Sequence, residues 1–256
     1  MKKTLILAAK EAGSILKDMF KTSQKIRFKT PGKIGSIVTE ADIASNKKIL
    51  SIIKANFPLH NVISEESKPQ NKGSSYTWII DPMDGTQNFV LGMPEFGVSI
   101  ALAKGKEILM GVVYLPVLDE FYFAEKNKGS FLNGKKINIS NVKKLDKSTV
   151  SINFTSKQNK YTFNPRIMFD AMRFFKTSSI VFSLVLVASA RFDGYIGIGM
   201  SPWDVAASYI IVKEAKGKFT NFDGNNFDYN DGNIIASNNY IHKELLTYLI
   251  KKWELS

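Results

Sequence analysis

An apolar stretch that runs straight into two aspartates constrains this chain more than any other feature. The string is Trp78-Ile79-Ile80-Asp81-Pro82-Met83-Asp84-Gly85-Thr86-Gln87-Asn88-Phe89. Its apolar start reads as a buried strand, and the two carboxylates that follow stand three residues apart. A glycine and a hydroxyl come next. Hard oxygen ligands and a phosphate-sized opening at the mouth of a sheet are the parts of a Mg²⁺ site that handles a phosphate ester. Two carboxylates held that close repel unless a metal or a proton intervenes. An Asx-turn leading into a helix is the plainer account of the same residues.

The rest of the chain supplies partners for that string. Gly85, Thr86 and Gln87 offer backbone N–H groups at a predicted helix start, suited to phosphate oxygens, and Thr86 alternatively caps the helix. Glu65 and Glu66 end another short apolar run, residues 61–64. Successive side chains of an extended chain point opposite ways, so Glu65 is expected to face the aspartates. Asp204 follows Trp203 at the start of a predicted helix. The helix dipole alone would explain an acid there, but joined to Asp81 and Asp84 it gives three carboxylates for a pair of divalent ions. Asp42 fits a capping box with Thr39, and it is also placed to accept a hydrogen bond from Thr86.

Periodicity predicts a layered α+β fold. Apolar residues recur at helical spacing over 2–20 and again over 40–55. A polar loop is expected at 68–75. Extended runs at 97–103, 108–115 and 120–124 read as an antiparallel meander, with Asn133-Gly134 as a further turn. Beyond Lys143 the pattern predicts a strand at 149–154, a helix at 165–173, a buried helix at 180–190 and a strand at 193–198. A helix follows over 203–215, with Pro202 at its start and Gly217 as its C-cap. A strand at 234–236 and a terminal amphipathic helix over 239–253 complete the reading. Residues 1–142 are expected to form a metal-binding lobe and 143–256 a second lobe that completes the site. No GxGxxG follows a strand, so a dinucleotide fold is not indicated.

Composition narrows the chemistry. The 256 residues contain no cysteine and two histidines, His60 and His242, which removes disulfides, thiolate nucleophiles and Cys-ligated zinc. The formal net charge of +12 is spread over many lysines rather than gathered in a stripe, so nucleic acid is not an expected partner. The apolar run after Met1-Lys2-Lys3 stops at Lys10-Glu11, and residues 180–190 are too short to span a bilayer. A soluble cytoplasmic protein without a membrane partner is expected.

At four places the chain resembles the inositol monophosphatase family, part of the Mg²⁺-dependent, lithium-sensitive phosphatases. These are Val38-Thr39-Glu40-Ala41-Asp42, Ser64-Glu65-Glu66-Ser67, the Asp81–Phe89 string and Trp203-Asp204-Val205-Ala206-Ala207. The resemblance implies a layered αβαβα sugar-phosphatase fold with mostly antiparallel sheets, a homodimer, and two or three Mg²⁺ ions. Glu65, Asp81 and the Met83 carbonyl would hold the first ion. Asp81, Asp84 and Asp204 would hold the second, with a weaker third near Glu65. Glu65, Thr86 and Asp42 would act in catalysis, Thr86 positioning water with Asp42 behind it. Gly85, Thr86, Ser178, Ser179 and Asp204 would meet the substrate. Lithium inhibition is expected by displacement of a weakly held ion. The implied activity is hydrolysis of myo-inositol 1-phosphate or a related polyol or sugar phosphate. A 3′-phosphoadenosine 5′-phosphate phosphatase, a fructose-1,6-bisphosphatase and an RNA-associated or regulatory protein are the alternatives. Two positions depart from the family pattern. Ser36 replaces an acid before the Val-Thr pair. Gly197 replaces a glutamate that contacts inositol hydroxyls, which puts inositol preference in question.

Overall fold

The computed structural model describes residues 1–22, 26–28, 37–154 and 161–251; Ser36 lies outside them. Helices α1 (Lys2–Met19) and α2 (Glu40–Asn56) flank a small strand pair, β1 (Arg27–Phe28) and β2 (Ile37–Val38). Next come β3 (Asn61–Ser64), β4 (Ser67–Gln70), β5 (Tyr76–Asp84), the short helix α3 (Thr86–Val90), β6 (Gly97–Lys104), β7 (Glu107–Leu115), β8 (Glu120–Glu125), β9 (Gly129–Leu132) and β10 (Lys135–Ile137). They form an eight-stranded sheet of order β10-β9-β8-β7-β6-β5-β3-β4, antiparallel except for β3 against β5. The Asn133-Gly134 turn closes β9 and β10 with both residues at positive φ, 49° and 78°, the two-residue hairpin geometry that this dipeptide favours.

The remaining elements are β11 (Thr149–Phe154), β12 (Tyr161–Phe163), α4 (Ile167–Asp170), β13 (Arg173–Phe175), α5 (Ile180–Ala188), β14 (Gly194–Ile198), α6 (Pro202–Glu214), β15 (Lys218–Asn221), β16 (Asn233–Ser237), α7 (His242–Thr247) and β17 (Leu249–Lys251). A second sheet has order β13-β11-β14-β16-β15, with β11 parallel to both β13 and β14.

Three buried clusters show how five layers stack. Leu5, Ala9, Leu16, Ile49 and Ile53 of α1 and α2 pack on Trp78, Ile80, Ile100 and Val112 of the first sheet. Ile79, Ala101 and Val113 point to the opposite face, against α5 and α6, which also meet Tyr195, Ile234 and Ala236 of the second sheet. Ile196, Ile198 and Ile235 face outward onto Leu245 of α7. Strand alternation thus gives each sheet two apolar faces, and the order is αβαβα as the resemblance implied. A Cβ on Gly111 would stand 2.7 Å from the Ala207 carbonyl. Glycine there lets α6 lie directly on β7.

Several local expectations give way to pairing. Residues 68–70 of the anticipated loop belong to β4, because they return along β3. The predicted helix over 165–173 shrinks to α4, and Arg173–Phe175 instead pairs with β11. Of the predicted terminal helix, α7 alone is helical among the described residues, and 252–253 lie outside them. Residues 249–251 match helical spacing, but they pair antiparallel with β12. Helix α6 begins at Pro202, one residue earlier than expected, which makes Asp204 its third residue. At its end Lys216, not Gly217, takes the left-handed conformation (φ 71°). Lys216 N–H donates to the Lys213 carbonyl and Gly217 N–H to that of Val212, both at 2.9 Å, a Schellman arrangement. Gly217 is needed for closeness, since a Cβ would meet Val212 Cγ1 at 2.6 Å.

His242 is fully buried between two hydroxyls, with Nε2 2.9 Å from Thr220 Oγ1 and Nδ1 2.7 Å from Ser237 Oγ. Burial, helped by the charge of Lys218, pulls its pKa down to about 4. The unfolded imidazole titrates near ~6.5, so between these values the unfolded chain holds a proton that the folded one refuses. Stability from this group is complete above the unfolded pKa and is lost as pH falls toward the folded one. Urea titrations from pH 7 to pH 4 should show a loss on the order of 3 kcal/mol from this residue. His242→Gln should flatten that slope.

Candidate active site

The site starts from an irregularity in β5. Asp81 pairs with Ser99 and Asp84 with Gly97, so three steps along β5 oppose two along β6. In a regular strand, residues three apart point to opposite faces. The extra residue reverses that and turns Asp84 onto the face of Asp81, toward α5 and α6. The sequence suggested a strand ending at Asp81; the strand instead continues to Asp84 through this bulge. Ser45 of α2 holds it by donating to the Pro82 carbonyl at 2.7 Å.

Asp204 reaches the same point from α6. Its Oδ2 accepts from Ser201 N–H at 2.6 Å in a capping box, which fixes the carboxylate's rotation. Ser99 Oγ donates to the Trp203 carbonyl at 3.4 Å and ties this helix start to β6. One oxygen each from Asp81, Asp84 and Asp204 lies within 4.8 Å of the other two, and all three residues are buried.

Each acid is anchored by its neighbours. Asp81 Oδ1 accepts from Met83 N–H at 3.0 Å. Asp84 Oδ2 accepts from the Ser179 hydroxyl and from Val181 N–H at 3.1 Å, so it sits on the positive end of α5. Burial nevertheless dominates its titration. Desolvation pushes the Asp84 pKa up to about 6 against the Ser179, Ile180 and Val181 hydrogen bonds, and the charge of Glu65 adds to the rise. Glu65 is thus close enough for its charge to be felt, at the end of β3 where its N–H donates to the Ile80 carbonyl.

Thr86 stands beside this cluster. Gly85, at φ 87°, is the N-cap of α3, and a Cβ on it would lie 2.8 Å from the Glu95 carbonyl and 3.0 Å from Ser179 Cβ. Both the conformation and the crowding require glycine. Thr86 Oγ1 lies 3.0 Å from Asp42 Oδ1 and 3.2 Å from the Met83 carbonyl, either of which can accept its hydrogen bond. Asp42 Oδ2 accepts from both Thr39 N–H and Thr39 Oγ1 at 2.7 Å. One carboxylate therefore caps α2 and also meets Thr86.

The sequence profile of the inositol monophosphatase family matches residues 1–254. The chain belongs to this family. It is 36% identical to the Haemophilus influenzae Nus factor SuhB, over 94% of this chain and 92% of that protein. It is 33% identical to a fructose-1,6-bisphosphatase/inositol-1-monophosphatase of Aquifex aeolicus, over 98% and 95%. The solved Thermotoga maritima IMPase superposes with a TM-score of 0.86 at 33% identity, covering 95% of this chain and 94% of that one.

Two positions differ from what the inositol monophosphatase resemblance led one to expect. Ser179 is fully buried and spends its hydroxyl on Asp84 and on capping Phe182 N–H, so it supports the carboxylate rather than facing a ligand; Ser178, beside it, is exposed. Gly197 opens no space. A Cβ there would meet Ile234 Cγ1 and Met200 Cγ at 2.9 Å and Tyr195 Cε1 at 3.0 Å. Side chains of Ile234, Met200 and Tyr195 close this position.

Sequence reasoning passed over Ser45 and Asn46. Asn46 Oδ1 accepts from Ser64 Oγ at 2.8 Å, and its Nδ2 donates to the Glu66 carbonyl at 3.4 Å, fixing the end of β3. Asp42, Ser45 and Asn46 occupy i, i+3 and i+4, so one buried stripe of α2 is polar. That spacing was the available signal. Ser179→Ala removes a helix cap and a hydrogen bond to a carboxylate together. It should lower unfolding free energy by about 1–2 kcal/mol in urea titrations.

Proposed function

We propose that this chain hydrolyses a small phosphate monoester with Mg²⁺, myo-inositol 1-phosphate or a related polyol or sugar phosphate. Convergence of Asp81, Asp84 and Asp204 within 4.8 Å, beside the Thr86–Asp42 pair, carries this reading. The donors suit Mg²⁺, since carboxylate and carbonyl oxygens are the hard ligands it takes. Softer ligands lie elsewhere. His60 stacks on Phe57 and Tyr76, and His242 is enclosed by Thr220 and Ser237.

Glu65, Asp81 and the Met83 carbonyl would hold one ion, Asp81, Asp84 and Asp204 a second, and Glu65 would border a weaker third. Bound there, Mg²⁺ supplies Lewis-acid polarisation of the phosphate and neutralises charge on the leaving oxygen. The residues do the positioning. With its proton given to Asp42, Thr86 Oγ1 presents a lone pair that can accept from an attacking water and aim it at phosphorus. Thr39 holds Asp42 oriented for that task. Gly85 and Thr86 offer backbone N–H groups to the phosphate oxygens, and Ser178 is exposed to the alcohol portion.

The direct test is phosphate release from a panel containing myo-inositol 1-phosphate, β-glycerophosphate, fructose 1,6-bisphosphate and 3′-phosphoadenosine 5′-phosphate. Wild type should act on at least one with Mg²⁺ and on none after chelation. Asp204→Asn should lower kcat/KM by about 10³-fold or more, the scale of losing charge stabilisation in the transition state. Absence of turnover across the panel would overturn the reading.

The family's homodimer suits an exposed apolar patch beside edge strand β13. Met168, Phe169, Met172 and Phe175 are exposed there, Phe169 by 83%. Second copies of this chain are the proposed cover. Light scattering should give twice the 28.7 kDa chain mass, and Phe169→Glu should halve it.

The relative named Nus factor SuhB supports a second reading, that of an RNA-associated or regulatory protein. The dispersal of the +12 net charge along the sequence weighs against it as the main role. Among the described residues no helix is long and apolar enough to cross a membrane. Salt-dependent RNA binding without Mg²⁺-dependent hydrolysis would make this the main role.

A further inference from the structure

Helix α6 carries Asp204 in its first turn and ends at Glu214, about 15 Å further along its axis. There it borders a surface cleft that shares no residue with the carboxylate cluster. The cleft has a volume of about 120 Å³. It lies among the β6–β7 turn, the β8–β9 turn, the end of α6 and residues 227–229 ahead of β16. Ile108, Ile210, Tyr209, Phe227 and Tyr229 give it apolar and aromatic walls.

Contacts between these segments fix its shape. Lys106 Nζ meets Asp228 Oδ2 at 2.9 Å, and the Tyr229 hydroxyl donates to the Gly105 carbonyl at 3.4 Å, so residues 227–229 are pinned to the β6–β7 turn. Glu214 accepts from Asn127 N–H and Gly129 N–H, both at 2.8 Å, which pins α6 to the β8–β9 turn. The Tyr209 ring packs on Phe219 and Phe227, with centroids 5.4 and 4.8 Å away. Small-molecule sites are concavities of this kind, already formed, with apolar walls and few polar groups.

The same contacts account for most of the charge around the cleft. Lys106 is taken by Asp228, Lys126 by Glu107, and both oxygens of Glu214 by backbone amides. Lys213 differs. Its Nζ donates to the Tyr209 hydroxyl at 2.9 Å and stands 5.3 Å from the centroid of that ring. No salt bridge among the described residues gives it a carboxylate. An ammonium has three donors, and a phenol oxygen satisfies one of them. Size then selects the occupant. An apolar cavity of ~150 Å³ holds a benzene ring, whereas pockets for larger organic ligands start at about 300 Å³. The cleft has room for a single ring and not for a nucleotide.

We infer that this cleft binds a small monocyclic aromatic carboxylate, its ring among Tyr209, Phe227 and Tyr229 and its carboxylate on Lys213. Offset and edge contacts between rings attract the apolar part, and a charge-assisted hydrogen bond selects the anion. The site goes beyond the phosphatase reading and does not depend on it.

The probes are 4-fluorobenzoate and its neutral amide, 4-fluorobenzamide, followed by fluorine NMR, with acetate as a competitor that lacks the ring. Wild type should bind the benzoate about fivefold or more tighter than the amide, the scale of one charge-assisted hydrogen bond. Acetate at equal concentration should not displace it. Lys213→Met keeps the stem and removes the charge, and it should bring the ratio below about twofold. Tyr229→Ala removes one wall and should weaken both probes by about threefold or more. Lys10→Met, on α1 across the first sheet, makes the same change in net charge and should keep the wild-type ratio. The ratios should be the same with Mg²⁺ and with a chelator, because the cleft contains none of Asp81, Asp84 and Asp204. Equal affinities in wild type, a ratio unchanged in Lys213→Met, or benzoate binding that needs Mg²⁺ would overturn the site. Failure of every phosphate ester to turn over would leave these ratios untouched.

Discussion

Mutual repulsion among three buried carboxylates is the constraint that the centre of this protein is built around. Oxygens of Asp81, Asp84 and Asp204 lie within 4.8 Å of one another in surroundings that exclude most water. Left alone, such a set would neutralise itself by taking up protons, and burial already raises the pKa of Asp84, with the charge of Glu65 adding to the rise. The fold counters it with fixed dipoles rather than with a covalent frame. The amino end of α5 faces Asp84, the Ser201 amide meets Asp204, and the Met83 amide meets Asp81. Each acid has a hydrogen-bond donor fixing its orientation while contributing an oxygen to the shared point. A divalent cation held at that point would complete the balance, and this is why the arrangement reads as a candidate metal centre rather than a strained core.

Helix α2 does for the β-strand ends what α5 and α6 do for the acids. Its first two turns meet Thr86, Pro82, Ser64 and Glu66 through Asp42, Ser45 and Asn46. The N-terminal layer is therefore part of the site and not packing placed behind it. A substitution on its buried polar stripe would shift the ends of β3 and β5 together, moving Glu65 and the Asp81–Asp84 segment as a unit.

Most of the fold was legible because its signals are local. Alternating apolar residues gave the meander, Asn133-Gly134 gave the hairpin, and the Thr39–Asp42 spacing gave the cap of α2. The errors fall where long-range pairing outweighs local pattern. Residues 249–251 match a helix until β12 offers them hydrogen bonds, and residues 173–175 become a strand because β11 has an open edge. Within the site, the acids could be named from their neighbours in sequence, but the reason Asp81 and Asp84 share a face could not. That depends on a mismatch with β6. Ser179 was misjudged for a related reason, since a small polar residue before a helix looks the same whether it meets a ligand or a buried carboxylate.

The bulge in β5 also sets which changes this gene can absorb over time. Its effect comes from a count of residues rather than from their chemistry. Gaining one codon between Gly97 and Ser99 would set three steps of β6 against three of β5, restore a regular ladder and swing the second carboxylate toward α1 and α2. The match in length between these two paired segments thus governs the site as directly as the acids themselves.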